Sequence, residues 1–203
     1  IYLIFGIIIG GRLGYVGIYN FQYYLANSLE IFMIWNGGMS FHGGLVGVVI
    51  ASFLFAKKNK LNFLEIVDAV SCAAPIGLFF GRIANFINGE LYGKVSTLPW
   101  SVIFPTGGYI PRHPSQLYEA ALEGIILFII INLFAFKKKA ILKFGLVSSL
   151  FLIYYSILRI IGEMFREPDQ QLGYFFGFVS MGIILSTITL IIGLAIYFNK
   201  RQR

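Results

Sequence analysis

The sequence predicts an all-α fold, a polytopic bundle of transmembrane helices, and three observations carry that prediction. Only 12% of the 203 residues are charged, where a soluble domain carries about 25%. Mean hydropathy is +0.79, and apolar runs recur at roughly the 20-residue length that one bilayer crossing needs. Every second break between those runs is basic. A water-soluble globule is therefore excluded. So is a transmembrane β-barrel, because stretches such as Ile125 to Phe136 do not alternate in polarity.

Six apolar segments are expected, near residues 1–24, 39–56, 64–87, 114–136, 144–165 and 175–198. The first opens at Ile1 with no basic region before its apolar run, so it does not read as a signal peptide. A seventh, N-terminal helix is expected upstream of it. Gly6, Gly10, Gly14 and Gly17 form a small-residue stripe on this segment, suited to close helix packing. The second segment begins in Ser40-Phe41-His42-Gly43-Gly44, and its glycines would draw His42 into the bundle interior. An imidazole there is either a structural hydrogen-bonding group or a general base near neutral pH.

Ten of the 16 basic residues fall in three clusters, at Lys57, Lys58 and Lys60, at Lys137, Lys138, Lys139 and Lys143, and at Lys200, Arg201 and Arg203. They follow the second, fourth and sixth segments, so the positive-inside rule places all three in the cytoplasm. Residues 25–38, 88–113 and 166–174 then lie on the external side. The stretch 88–113, with Pro99, Pro105, Gly107, Gly108 and Pro111, reads as a small structured arm with a strand-like piece at Trp100 to Phe104, within a single transmembrane domain over 1–203. The +7 net charge is thus a topology signal, and no nucleic acid is expected as a partner. Cys72 is alone, which leaves no disulfide or metal spacing.

Arg12, Arg82 and Arg159 lie inside apolar segments, where a charge costs on the order of 3 kcal/mol even on the lenient insertion scale. Each needs a partner or a function. Arg82, Asn85, Asn88 and Glu90 cluster at the external end of the third segment, and Tyr155, Arg159, Glu163 and Arg166 share one face of the fifth. An Arg159–Glu163 ion pair closing the bundle is one reading. Phosphate binding by guanidinium forks from two helices is the other, and a phospholipid headgroup is the phosphate at hand. In His113-Pro114-Ser115 the proline suits the first helical position, with His113 near the N-cap. Glu119, in the first two turns, favours the helix dipole or pairs with an arginine. Asp68 and Glu65 read as interface residues at the cytoplasmic end.

The run Gly81-Arg82-Ile83-Ala84-Asn85-Phe86-Ile87-Asn88-Gly89-Glu90-Leu91-Tyr92-Gly93 closely resembles the signature of the prolipoprotein diacylglyceryl transferase family. Blocks at 11–15, 42–45, 112–119 and 155–166 agree in order. The resemblance implies a bacterial inner-membrane enzyme with seven transmembrane helices. Its implied reaction moves the diacylglyceryl group of phosphatidylglycerol onto the lipobox cysteine of a prolipoprotein signal peptide, forming a thioether and releasing glycerol phosphate. Its implied partners are these two substrates and membrane lipid, and it implies no metal and no cofactor. His42 matches the family's proposed base and Arg82 and Arg159 its essential arginines, while Asn85, Glu90, Gly93, Tyr155 and Glu163 match further functional positions. The candidate catalytic residues are therefore His42, Arg82, Arg159 and Glu163. Arg82, Asn85, Asn88, Glu90, Gly93, Tyr155, Arg166, Arg12 and His113 are the candidates for substrate binding. The competing class is an anion or phospholipid transporter, disfavoured by the scarcity of polar groups in the inner halves of the segments.

Overall fold

The computed structural model describes residues 1–18, 20–168, 174–175 and 179–201, without the side chains of residues 41, 42, 174, 175 and 201. Helices α1 (Tyr2–Ile18), α2 (Phe21–Ala26), α3 (Phe41–Asn59), α4 (Phe63–Asn88), α5 (Ser115–Lys137), α6 (Leu146–Glu163) and α7 (Met181–Arg201) follow in chain order. Helices α4, α5, α6 and α7 are each long and apolar enough to cross a membrane. The chain is a multi-pass helical membrane protein. It folds as two compact parts, residues 1–66 and 67–203, described in turn.

In the first part α1 packs along α3 through the expected glycines. A Cβ on Gly14 would fall 2.7 Å from the Gly43 Cα, and one on Gly10 would fall 2.8 Å from the Gly47 Cα. The backbones therefore touch, and nothing larger than hydrogen fits. Gly17 faces open space and takes no part. The first segment is shorter than expected. It ends at Ile18, and Phe21–Ala26 form the separate α2, followed by 3₁₀ turns at Ser28–Phe32 and Ile34–Asn36. Helix α3 is capped by Ser40, whose side chain accepts from the Gly43 amide.

The second part is built on α4 to α7. Its fully buried core includes Leu127, Ile131, Ala135 and Val147, with Cys72 packed against it. Gly124 lets α5 approach Phe79 of α4, where a Cβ would lie 2.6 Å from the Phe79 Cβ. Asp68, expected at the cytoplasmic end of its segment, has a structural role there that the sequence does not announce. It is fully buried, and its two carboxylate oxygens accept from the amides of Gly145 and Ser148, both at 2.7 Å. It thus caps the N-terminus of α6 from another helix, where both the free amides and the helix dipole favour an anion. Helix α5 begins at Ser115 with Pro114 as its N-cap, one position later than expected. It carries π-helical turns at Ala120–Ile126 and Leu133–Lys137.

Residues 88–113 form a folded excursion. Strand β1 (Val102–Ile103) pairs antiparallel with β2 (Pro111–Arg112), and residues 92–94 bond on one side to His113 and on the other to Phe165 and Glu167. The excursion is thereby tied to the ends of both α5 and α6. Strands β3 (Tyr174–Phe175) and β4 (Val179–Ser180) pair before α7, which starts at Met181 rather than near 175. The connection expected over 166–174 falls largely outside the described residues.

Candidate functional site

Three apolar helices of the second part bring their ionisable groups to one place. Arg82 comes from α4, Glu119 and Glu123 from α5, and Arg159 and Glu163 from α6. Glu119 approaches Arg82 Nη1 at 2.8 Å with Oε2 and Arg159 Nη1 at 3.0 Å with Oε1. Glu123 repeats the bridge, accepting from Arg82 Nη2 at 3.0 Å and from Arg159 Nη1 at 3.2 Å. Two carboxylates and two guanidiniums therefore alternate in a closed square. Arg159 Nη2 also reaches Glu163 Oε2 at 2.7 Å. The other Glu163 oxygen accepts from Ser180 at 2.9 Å, and Arg166 Nη1 stands 4.0 Å from Oε2.

The local sequence explains the arrangement. Arg159, Glu163 and Arg166 follow one helical face, as their spacing predicts. Glu119 and Glu123 lie four apart at the junction of α-helical and π-helical backbone, a distortion found often at functional sites. Gly182 allows the start of α7 to press on Glu163, since a Cβ there would sit 2.6 Å from the carboxyl carbon.

Burial orders the square by sign. The Glu119 and Glu123 side chains are completely buried, whereas Arg82 is 14% exposed and Arg159 9%. The carboxylates are the more deeply buried members of the square, and what exposure it has falls on the arginine side chains, chiefly Arg82. A buried ion pair of this kind contributes little net stability, because desolvation offsets the attraction. What it supplies is position: two arginines held a fixed distance apart by shared anions, in a low-dielectric setting where a third anion would be strongly felt.

The remaining expected residues fall into three groups. Tyr155 stacks on Phe151 at 5.8 Å and lies within electrostatic reach of Glu123 and Arg159. Asn85 is partly buried one turn after Arg82, and its carbonyl accepts from the Glu90 amide at 2.9 Å, closing the helix end. The Asn88 and Glu90 side chains are exposed, while the Glu90 carbonyl accepts from buried Gln116 at 2.6 Å. Gly93 and His113 belong to the tie between the 88–113 excursion and the helix ends. A Cβ on Gly93 would fall 2.6 Å from the His113 carbonyl oxygen and 2.7 Å from that of Phe165. The His113 ring packs edge-on against Tyr118 and Phe165, with Nδ1 3.3 Å from the Tyr118 hydroxyl. Both hold the excursion against the ends of α5 and α6.

Arg12 and His42 belong to the first part. His42 is the second residue of α3, and its side chain lies outside the described residues. Arg12 is buried and takes only backbone carbonyls: Ile31 from Nε, Gly37 and Gly38 from Nη1, Glu30 and Met33 from Nη2. Its donors are directed at a loop. Glu123 was not anticipated from the sequence, and Glu119 only as one of two readings. The signal was present, because two acids four residues apart in an apolar run demand partners as strongly as the arginines do. Among the described residues no three His, Cys, Asp or Glu side chains converge as a metal ion would require.

Comparison with known proteins identifies the family. The family described as prolipoprotein diacylglyceryl transferase matches residues 1–199. A phosphatidylglycerol–prolipoprotein diacylglyceryl transferase of Rickettsia bellii is 55% identical over 202 residues, covering 100% of this chain and 77% of the relative. Proteins of the same name from Nitratidesulfovibrio vulgaris and Vibrio vulnificus are each 53% identical, covering 95% and 94% of this chain and 73% and 69% of their own lengths.

Proposed function

This chain belongs to the prolipoprotein diacylglyceryl transferase family, and from that premise we propose that it transfers the diacylglyceryl group of phosphatidylglycerol to the lipobox cysteine of a prolipoprotein. In this reaction the cysteine thiol gives up its proton and its sulfur attacks the glycerol carbon that bears the phosphate. A carbon–sulfur bond forms, the carbon–oxygen bond breaks, and glycerol phosphate leaves carrying one more negative charge than the diester had. The site that serves this step must bind one anion and then stabilise a stronger one.

The observation that supports the reading is the arginine–glutamate square itself, in which two arginines from two helices are held together by shared buried carboxylates. Arg82 and Arg159 are fixed side by side by fully buried carboxylates, and the guanidinium fork suits phosphate oxygens. Charge developing on the departing phosphate draws on donors already in place. Glu163 fixes Arg159 from the far side. A free thiol has a pKa near 8.5, so a base raises the fraction that is reactive at neutral pH. His42 is assigned that role on its match to the family's position. The bacterial inner membrane is assigned on the resemblance to the family, and the basic clusters at the opposite ends of the segments support a site toward the external leaflet.

The test uses the full-length protein in detergent with phosphatidylglycerol and a lipobox peptide, following peptide mass and glycerol phosphate together. A diacylglyceryl mass gain that disappears in Arg82→Ala is the expected result. Lipid binding with no thioether would remove the transferase reading and leave a lipid-binding or transport protein.

A further inference from the structure

The loop between α1 and α3 reads from sequence as an external connection, and its geometry is unusual for one facing water. Among residues 20–40 the only formal charge is Glu30, whose carboxylate accepts from the Tyr23 hydroxyl at 2.9 Å. Leu25, Leu29, Phe32 and Trp35 are 67%, 77%, 76% and 75% exposed. Four large apolar side chains thus stand without protein cover within eleven residues.

Two contacts set the depth of this loop against α1. The Ser40 amide donates to the Gly11 carbonyl at 2.8 Å, seven residues before the helix end at Ile18, which is about 10 Å down the axis at 1.5 Å per residue. The guanidinium of Arg12, the next residue, collects carbonyls of Glu30, Ile31, Met33, Gly37 and Gly38. The chain therefore leaves α1, turns through α2, and descends again beside α1 before α3 begins. Gly37 and Gly38 have φ of 79° and 80°, a region that only glycine enters freely, and this turns both carbonyls onto one guanidinium nitrogen. Tyr24 covers the other side of the guanidinium, with its ring centre 5.2 Å away.

Non-helical backbone at membrane depth is tolerated only where its polar groups are satisfied inside the protein. Arg12 meets that condition for the descending strand of the loop, using its donors on five carbonyls that would otherwise require water. We propose that residues 20–40 form a re-entrant segment seated among the lipid headgroups and upper acyl chains of the external leaflet, with Leu25, Leu29, Phe32 and Trp35 in contact with lipid. Arg12 is the residue that makes this seat possible. A buried arginine in an apolar helix is then explained without a bound ligand, and the loop becomes a lipid-contact surface at the membrane end opposite to Lys57 and Lys58, which lie in the last turn of α3.

Residues 1–203 hold two tryptophans, Trp35 and Trp100, so the full-length protein with Trp100→Phe, and with any tryptophan outside these residues also replaced by Phe, reports on the loop alone. In vesicles of phosphatidylcholine brominated high on the acyl chain, Trp35 should show blue-shifted emission, strong quenching by bromine and little quenching by aqueous iodide. Red-shifted emission with full iodide quenching would overturn the proposal. Adding Arg12→Ala should move Trp35 toward iodide access, and Arg12→Lys, which offers a point charge in place of a fork, should move it part of the way. The Arg12→Lys form carries the comparison if Arg12→Ala does not fold. A folded Arg12 variant with unchanged lipid quenching would overturn the part assigned to Arg12.

Discussion

At the scale of single residues, the square of Arg82, Glu119, Glu123 and Arg159 makes a stronger demand than any one pair in it. Each carboxylate serves both arginines, so removing one acid leaves each guanidinium with a weaker anchor. Glu123→Gln keeps the volume and removes the charge. We expect it to lower stability by up to about 3 kcal/mol, the lower end of the cost of breaking a buried pair, and to reduce transfer activity as the arginines lose their spacing. Thermal unfolding in detergent beside the transfer assay checks both. Arg159→Lys keeps the charge but presents one point donor where Nη1 and Nη2 now hold three carboxylates. A loss of about 10²-fold or more in turnover is expected, comparable to removing an oxyanion donor. Unchanged turnover would place the anion elsewhere.

At the scale of elements, Asp68 shows how two helices that each carry an arginine are held at their far ends. Its oxygens cap α6 from α4, in the same pair of helices that deliver Arg159 and Arg82. Asp68→Ala should cost about 1–2 kcal/mol, as the loss of an N-cap does, while Asp68→Asn should retain part of the stability because one acceptor remains. Unfolding midpoints of the two variants in one detergent decide this. Gly93→Val should be more damaging to activity than to stability, because it pushes His113 and Phe165 apart where the 88–113 excursion joins the helix ends. Much at this scale was legible in the sequence. The six apolar runs found their helices, the Gly10–Gly14 stripe found its partner in Gly43 and Gly47, and the 155–166 face found its ion pairs. Three features were not legible, for physical reasons. The π turn beside Glu123 has no propensity signal of its own. Asp68 looks like any acid near a membrane boundary until its two amide partners, 77 and 80 residues away, are in place. The break at Ile18 is hidden because the following loop is nearly as apolar as the helix, which is what a lipid-seated loop requires.

At the scale of the whole molecule, orientation rests on charge alone. Lys57 and Lys58 end α3, Lys137 ends α5 and Arg201 ends α7, so alternate helices finish in cations, as a cytoplasmic face requires. The opposite ends of the second part carry Arg82, Arg159 and their carboxylates, which contribute no net attraction for the cytoplasmic side because they neutralise one another. Residues 1–203 carry one cysteine, Cys72, so a background free of other thiols needs Cys72→Ala and the replacement of any cysteine outside these residues. In that background, Lys58→Cys and Lys138→Cys should resist a membrane-impermeant maleimide added to intact cells and react after the membrane is opened. Tyr109→Cys, at a position 87% exposed on the 88–113 excursion, should react in intact cells. Both halves are needed, because labelling at 109 alone would also follow from a leaky membrane. The reverse pattern would put the arginine square on the cytoplasmic side, where a signal peptide's cysteine that has crossed the bilayer could not reach it, and the proposed chemistry would lose its acceptor.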